Sequence, residues 1–139
     1  MTAITYEVGN DLDLDQVLEL YEKSTLGDRR PVESRGIFRD MIRHADLIVT
    51  ARDGSHLVGI SRTLTDFSYV AYLADLAVHK DYQGKGIGRE LVKRTRENLK
   101  DSCFITLLAA PQADDYYGKI GFERNSRAWV WDPAKEPEA

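Results

Sequence analysis

Apolar positions along the chain change their period several times, and each change predicts an element. Ile4, Tyr6 and Val8 alternate, which predicts a strand over Thr2 to Val8. After the turn Gly9-Asn10-Asp11, Leu14, Val17, Leu18 and Tyr21 recur at i, i+3, i+4 and i+7, the mark of an amphipathic helix from Asp13 to about Ser24. Thr25 to Pro31 reads as a loop. Pro31 is expected to open a second helix from its first turn, with Ile37, Phe38, Met41 and Ile42 on one face. Three β-rich runs follow, Leu47–Ala51, His56–Leu64 and Tyr69–Val78. The turns Asp53-Gly54 and Thr65–Ser68 link them into an antiparallel meander. Ile87, Leu91, Val92, Thr95 and Leu99 share the inner face of a further helix. The nearly continuous apolar run Phe104 to Ala110 predicts a strand covered on both faces. Asp114 to Ile120 reads as a short helix ended by Gly121. Phe122 and then Arg127 to Trp131 supply the last strands, and a polar tail, Asp132 to Ala139, is expected to fray.

This order predicts an α/β chain of the α+β type, with a mixed, mainly antiparallel sheet and one parallel crossover around the central helix. With 139 residues, one domain spanning 1–139 is expected, large enough for its own core. No apolar run approaches the length of a transmembrane helix. The start, MTAITYEVGNDLDLD, has neither a basic region nor an apolar stretch of a secretory signal. A cytoplasmic protein without membrane partners is the expectation.

Composition changes this picture little. The formal net charge of −4 gives no general attraction to nucleic acid. The central helix carries Arg89, Lys93, Arg94, Arg96 and Lys100, but Glu90 and Glu97 dilute them and no aromatics interleave, so a solvated face is expected. Arg29 and Arg30 also read as a solvated pair, although they stand where a ligand might be faced. Cys103, the only cysteine, lies in an apolar run and reads as a core residue. His44, His56 and His79 are scattered without ligand spacing and read as surface or turn residues, so no metal is expected.

The candidate chemistry sits between strand and helix, in Gln83-Gly84-Lys85-Gly86-Ile87-Gly88-Arg89. A glycine-rich loop opening a helix presents free N–H groups and the positive end of the helix dipole to an anion. The P-loop pattern fails because no Lys-Ser/Thr ends the run. The dinucleotide pattern fails because its third glycine position is Arg89 and the preceding strands are hairpin-linked.

Gln83 to Gly88 resembles the [Gln/Arg]-x-x-Gly-x-[Gly/Ala] signature of the GCN5-related N-acetyltransferases. Leu76-Ala77-Val78 before it and Gly88 to Val92 after it are similar to that family's central strand and helix. Tyr116 to Phe122 resembles its Phe-Tyr-x-x-x-Gly-Phe stretch, and the element order agrees from end to end. The resemblance implies a sheet of six to seven strands flanked by about four helices. It implies acetyl-CoA as cosubstrate, its pyrophosphate on the backbone from Gln83 to Arg89, with Lys85 and Arg89 at the rim. The pantetheine arm would pair with the strand end Leu76, Ala77 and Val78, which splays from the next strand. The reaction implied is direct acetyl transfer to a primary amine, more in keeping with a small molecule than with a protein. The N–H of Val78 would face the developing oxyanion. Tyr117 would protonate the departing thiolate, with Tyr116 packed inward. Asp75, on the central strand, is the candidate general base, with Glu22 and Asp115 behind it. Histone-modifying members carry a glutamate near the position of Tyr72. The acceptor cleft would be lined by the first two helices, the loop Thr25 to Pro31 and the C-terminal strands. A monomer or homodimer is expected, with Trp129 and Trp131 as interface or core. The competing class is an acyl-CoA-binding sensor, which would keep the loop and not need Tyr117.

Overall fold

The computed structural model describes residues 3–134. The expected strand start at Thr2 and the tail beyond residue 134 lie outside them. The chain forms two compact units, Met1–Leu108 and Ala109–Ala139.

The first unit is built on one sheet in the order β1-β2-β3-β4-β5. Its strands are β1 (Ile4–Val8), β2 (Leu47–Asp53), β3 (His56–Thr65), β4 (Val70–Val78) and β5 (Phe104–Thr106). The first four pair antiparallel and β5 runs parallel to β4. The helix α1 (Leu14–Lys23) starts at Asp13, whose carboxylate accepts the Asp15 N–H at 2.9 Å. A 3₁₀ turn, Leu26–Arg29, occupies the expected loop. The second helix, α2, runs Arg35–Arg43. It does not open at Pro31: the Ser34 N–H closes a turn onto the Pro31 carbonyl at 3.1 Å, and Ser34 itself is extended. The helix α3 (Ile87–Glu97) makes the crossover from β4 to β5.

Alternation along the strands sorts the core onto two faces. Val17, Leu20 and Tyr21 of α1 and Phe38 and Ile42 of α2 pack on Ile48, Ile60 and Ala77. Leu20, outside the predicted stripe, is buried with it, whereas Ile37 is exposed. On the other face Ile87 and Leu91 of α3 meet Val49, Ala51 and Val58, with Leu76 and Val78 beside them. A third cluster joins Leu47, Ala71, Leu99 and Cys103. Gly59 of β3 lets α3 come close, since a Cβ there would lie 3.0 Å from Leu91 Cδ1, 3.1 Å from Ile87 Cγ2 and 3.2 Å from Ala51 Cβ.

Two expectations about strands are corrected. β5 ends at Thr106, and as an edge strand it leaves Phe104 65% exposed, so the apolar run is not covered on both faces. Phe122 and Arg127 to Trp131 form no strand among the described residues, which hold five strands rather than six or seven. Trp129, 95% exposed, and Trp131, also exposed, are not core. None of the described helices is long and apolar enough to cross a membrane.

The second unit contains a 3₁₀ turn, Pro111–Ala113, and the short helix α4 (Asp114–Lys119). Gly121, at φ +108, ends it, and the Phe122 N–H returns to the Tyr117 carbonyl at 3.0 Å. That is the long hydrogen bond of a Schellman cap. The apolar contact that accompanies such caps is present as Phe122 against Tyr117, ring centroids 5.7 Å apart.

Candidate functional site: an open strand end running into a helix N-terminus

β4 is longer than its neighbour on one side. Its pairing with β5 covers only Val70, Ala71 and Tyr72, whereas its pairing with β3 continues to Val78. Leu73 to Val78 therefore have no strand beside them on the β5 side among the described residues. The His79 N–H donates to the Val58 carbonyl on β3 at 2.8 Å. By strand alternation Leu76 and Val78 turn their N–H and C=O groups the other way, toward the open edge. Gln83 confirms the direction, because its side-chain amide donates to the Val78 carbonyl at 3.0 Å.

Past Val78 the chain makes a 3₁₀ turn, Lys80–Tyr82, capped by His79, whose Nδ1 accepts the Asp81 N–H at 3.1 Å. His79 is thus a turn residue as expected, but a buried one, and its ring meets His56 at 5.3 Å. Gln83 to Gly86 are exposed, Ile87 is buried and Arg89 is exposed. Gly86 occupies the N-cap of α3 with φ +85, a left-handed conformation that a Cβ would strain, and Gly84 is left-handed as well. No side chain caps this helix. The first intrahelical bond runs from the Glu90 N–H to the Gly86 carbonyl, so the N–H groups of Ile87, Gly88 and Arg89 face outward without an intrahelical partner. Lys85 Nζ lies 5.3 Å from the Tyr82 ring centroid, a cation beside the loop. Leu76 and Val78 on the open edge, and Ile87, Gly88 and Arg89 at the helix start, thus carry backbone groups used by neither the sheet nor the helix.

The other basic residues of α3 are partly spoken for. Arg94 Nε is 3.5 Å from Glu90 and its guanidinium covers Tyr6, while Arg96 Nη1 donates to the Cys103 carbonyl at 2.6 Å. They tie the helix to its surroundings.

Asp75 lies in the middle of the open stretch but does not offer a free carboxylate. It is 1% exposed. Arg30 Nε donates to Oδ1 at 2.6 Å; Arg62 Nε and the Tyr21 hydroxyl donate to Oδ2, each at 2.6 Å. Both carboxylate oxygens are thus engaged by donors, so an amine reaching Asp75 as the expected general base would have to displace one of them. Burial, and then the neighbouring Asp75, push the Tyr21 phenol well up, so it stays protonated as the donor. Burial pulls the Arg62 guanidinium down and Asp75 more than offsets this, leaving it raised. Arg30 is not a solvated residue: its Nη2 also donates to the Ala74 carbonyl at 2.9 Å, and its Nη1 to the Arg29 carbonyl at 3.0 Å. Ala74 is the extra residue of a bulge, because Arg62 faces Asp75 and Thr63 faces Leu73. Composition and period gave no sign of this cluster. Its signal was Asp75 itself, a lone carboxylate in an apolar strand, which needs buried cations as partners.

Tyr117 belongs to the second unit, half-buried in α4 between Tyr116 and Phe122. Burial raises its pKa above that of an ordinary phenol, with the neighbouring Tyr116 adding to the shift. Its hydroxyl has no hydrogen-bond partner among the described residues. The other candidate bases are exposed: Glu22 on the outer side of α1, and Asp115, whose nearest cation is Arg124 at 3.7 Å.

A family model described as an acetyltransferase (GNAT) domain matches residues 31–130. An uncharacterized N-acetyltransferase of Porphyra purpurea, ycf52, is 31% identical over 130 residues, covering 84% of this chain and 73% of that protein. A histone acetyltransferase of Glycine max, TAP1, is 35% identical over 82 residues, covering 55% of this chain and 36% of that protein. Among solved structures, a GNAT family acetyltransferase of Streptococcus pneumoniae superimposes with a TM-score of 0.79 at 25% identity, covering 96% of this chain and 100% of that one. With its fold, its open strand end and its glycine loop, the chain belongs to the GCN5-related N-acetyltransferases.

Proposed function

We propose that the protein transfers an acetyl group from acetyl-CoA to the primary amine of a small molecule. The observation that carries this reading is the unpaired edge of β4 at Leu76 and Val78 leading directly into the uncapped N-terminus of α3. Amides of the pantetheine arm would add to that edge as a further strand. The N–H groups of Ile87, Gly88 and Arg89 would receive the pyrophosphate, with the helix dipole favouring its charge. The amine nitrogen attacks the thioester carbonyl carbon; the C–N bond forms, the C–S bond breaks, and the amine gives up a proton to bulk water, which returns one to the Tyr117 phenolate once that residue has protonated the sulfur. The Val78 N–H, turned toward the open edge, is the donor for the oxygen that gains charge. Tyr117, kept protonated by its raised pKa, is the acid for the leaving sulfur.

The small-molecule acceptor is supported by the short connections of the first unit, which hold no inserted peptide-binding element among the described residues. The competing acceptor is a protein lysine, as the name of the soybean relative says of that protein. Thiol release from acetyl-CoA, measured with a panel of small amines and a lysine-containing peptide, tests both. Release with small amines and not with the peptide is expected. Tight CoA binding with no release for any acceptor identifies a sensor instead.

A further inference from the structure

The cluster around Asp75 does not balance its charge. Two guanidiniums, Arg30 and Arg62, share one carboxylate, and the third partner, Tyr21, is a neutral phenol. One positive charge is left over. It resides on poorly hydrated groups, since the side chain of Arg62 is 10% exposed and that of Arg30 is 24% exposed. Holding a single buried carboxylate requires one guanidinium; a second desolvated cation adds cost without a counter-charge.

Donors are also left over. Arg62 engages Asp75 through Nε and lies within hydrogen-bonding reach of the neutral Tyr21 side chain, and no second carboxylate pairs with it among the described residues. Arg30 gives one proton each from Nη1 and Nη2 to the Arg29 and Ala74 carbonyls and retains a second on each nitrogen. Those two bonds fix the plane of the Arg30 guanidinium against the bulge of β4, within the stretch of that strand that lacks a neighbour. A fixed, partly exposed guanidinium with N–H groups left over matches the paired oxygens of a carboxylate.

We infer that Arg30 and Arg62 form a subsite for a carboxylate carried by the acceptor, so that the substrate class is an amino acid or another amine bearing a carboxylate. The inference rests on the transferase reading and specifies its acceptor. Asp75 in this arrangement is a positioning residue that aims both guanidiniums.

The test compares amines that differ only in the carboxylate: β-alanine with propylamine, γ-aminobutyrate with butylamine, ε-aminocaproate with hexylamine. Thiol release from acetyl-CoA gives kcat/KM for each. At least one pair should favour the carboxylated member by roughly tenfold, the loss expected when one charge-assisted hydrogen bond is missing. Arg30→Gln should bring that ratio close to one. Arg62→Gln should do the same if it folds; if it does not, the better exposed Arg30 decides. Turnover of amines with no preference for the carboxylate, or a preference that Arg30→Gln leaves intact, overturns the inference. So does a preference for phosphoethanolamine with none for the carboxylates. If no amine is acetylated, calorimetry of caproate with the CoA-saturated protein separates the two readings. Binding that weakens in Arg30→Gln keeps the carboxylate subsite while the transferase reading falls. Absence of binding removes the subsite.

Discussion

At the scale of single residues, the most exacting demands fall on Asp75 and Tyr117, for opposite reasons. Asp75 is needed because it is charged. Replacing it with Asn leaves Arg30 and Arg62 facing each other without a counter-ion, and losing one partner of a buried ion pair costs about 3–5 kcal/mol. Tyr21→Phe removes one donor to that carboxylate but keeps the edge contact with Phe38 at 4.8 Å, so about 1.5–3 kcal/mol is expected. Urea midpoints of the two variants should therefore fall in that order, Asp75→Asn lowest. In the proposed mechanism Tyr117 is needed because it is neutral. Tyr117→Phe should lower turnover about 10²-fold, as lost acid catalysis does, while acetyl-CoA affinity stays near that of the parent protein. The sign of its pKa shift adds a second readout. A raised pKa keeps the acid form present at higher pH, so the alkaline limb of the rate profile should lie above the ordinary phenol value, and Tyr117→Phe should abolish it. The sequence offers both residues as candidates, and the structure adds the partners that hold Asp75. A motif places a tyrosine after a short helix start; nothing in the spacing of Asp75 announces that Arg30, 45 residues away, and Tyr21, 54 residues away, converge on it.

At the scale of elements, α3 and the strands beneath it decide whether the donor site exists. Their periods made them legible: Ile87, Leu91, Val92 and Thr95 are buried as the 3.6-residue stripe requires. The meander of β2, β3 and β4 followed from turn chemistry at Asp53-Gly54 and Thr65 to Ser68. What the pattern did not show was Gly59, an ordinary-looking glycine in a strand. It sets how closely the first turn of α3 approaches the sheet, and hence where the N–H groups of Ile87 to Arg89 stand. Gly59→Val should overpack this contact at a cost of about 1–3 kcal/mol and displace α3 outward. Its signature is a weaker acetyl-CoA affinity out of proportion to any change in KM for the amine, measured by calorimetry and by rates. Period also failed at β5 and at Arg127 to Trp131. An apolar run and an alternating run each look like a strand, but a strand needs a partner. β5 finds one on a single side and only for three residues, and the later run forms no strand among the described residues.

At the scale of the whole molecule, net charge and local charge pull in different directions. The protein carries a formal −4, which repels an anionic cosubstrate at a distance. Attraction must then come from the ordered groups of the loop, which act only at short range and only if the backbone can approach. On the proposed reading, binding depends on Gly86 more than on any single cation. A Cβ at Gly86 meets no atom within 4 Å, so an aspartate there need not disrupt packing, although φ +85 adds strain of about 1–3 kcal/mol. Its carboxylate would stand at the helix N-terminus, compete for the free N–H groups and repel phosphate. Binding to the folded state raises stability by about 2.7 kcal/mol at a hundredfold excess over Kd. The parent protein should therefore gain several degrees in Tm when acetyl-CoA is added. Gly86→Asp should start from a somewhat lower Tm and gain nothing. A Gly86→Asp protein that still shows the full ligand shift would mean that the anion is held elsewhere, and the assignment of this helix N-terminus as the phosphate site would fall.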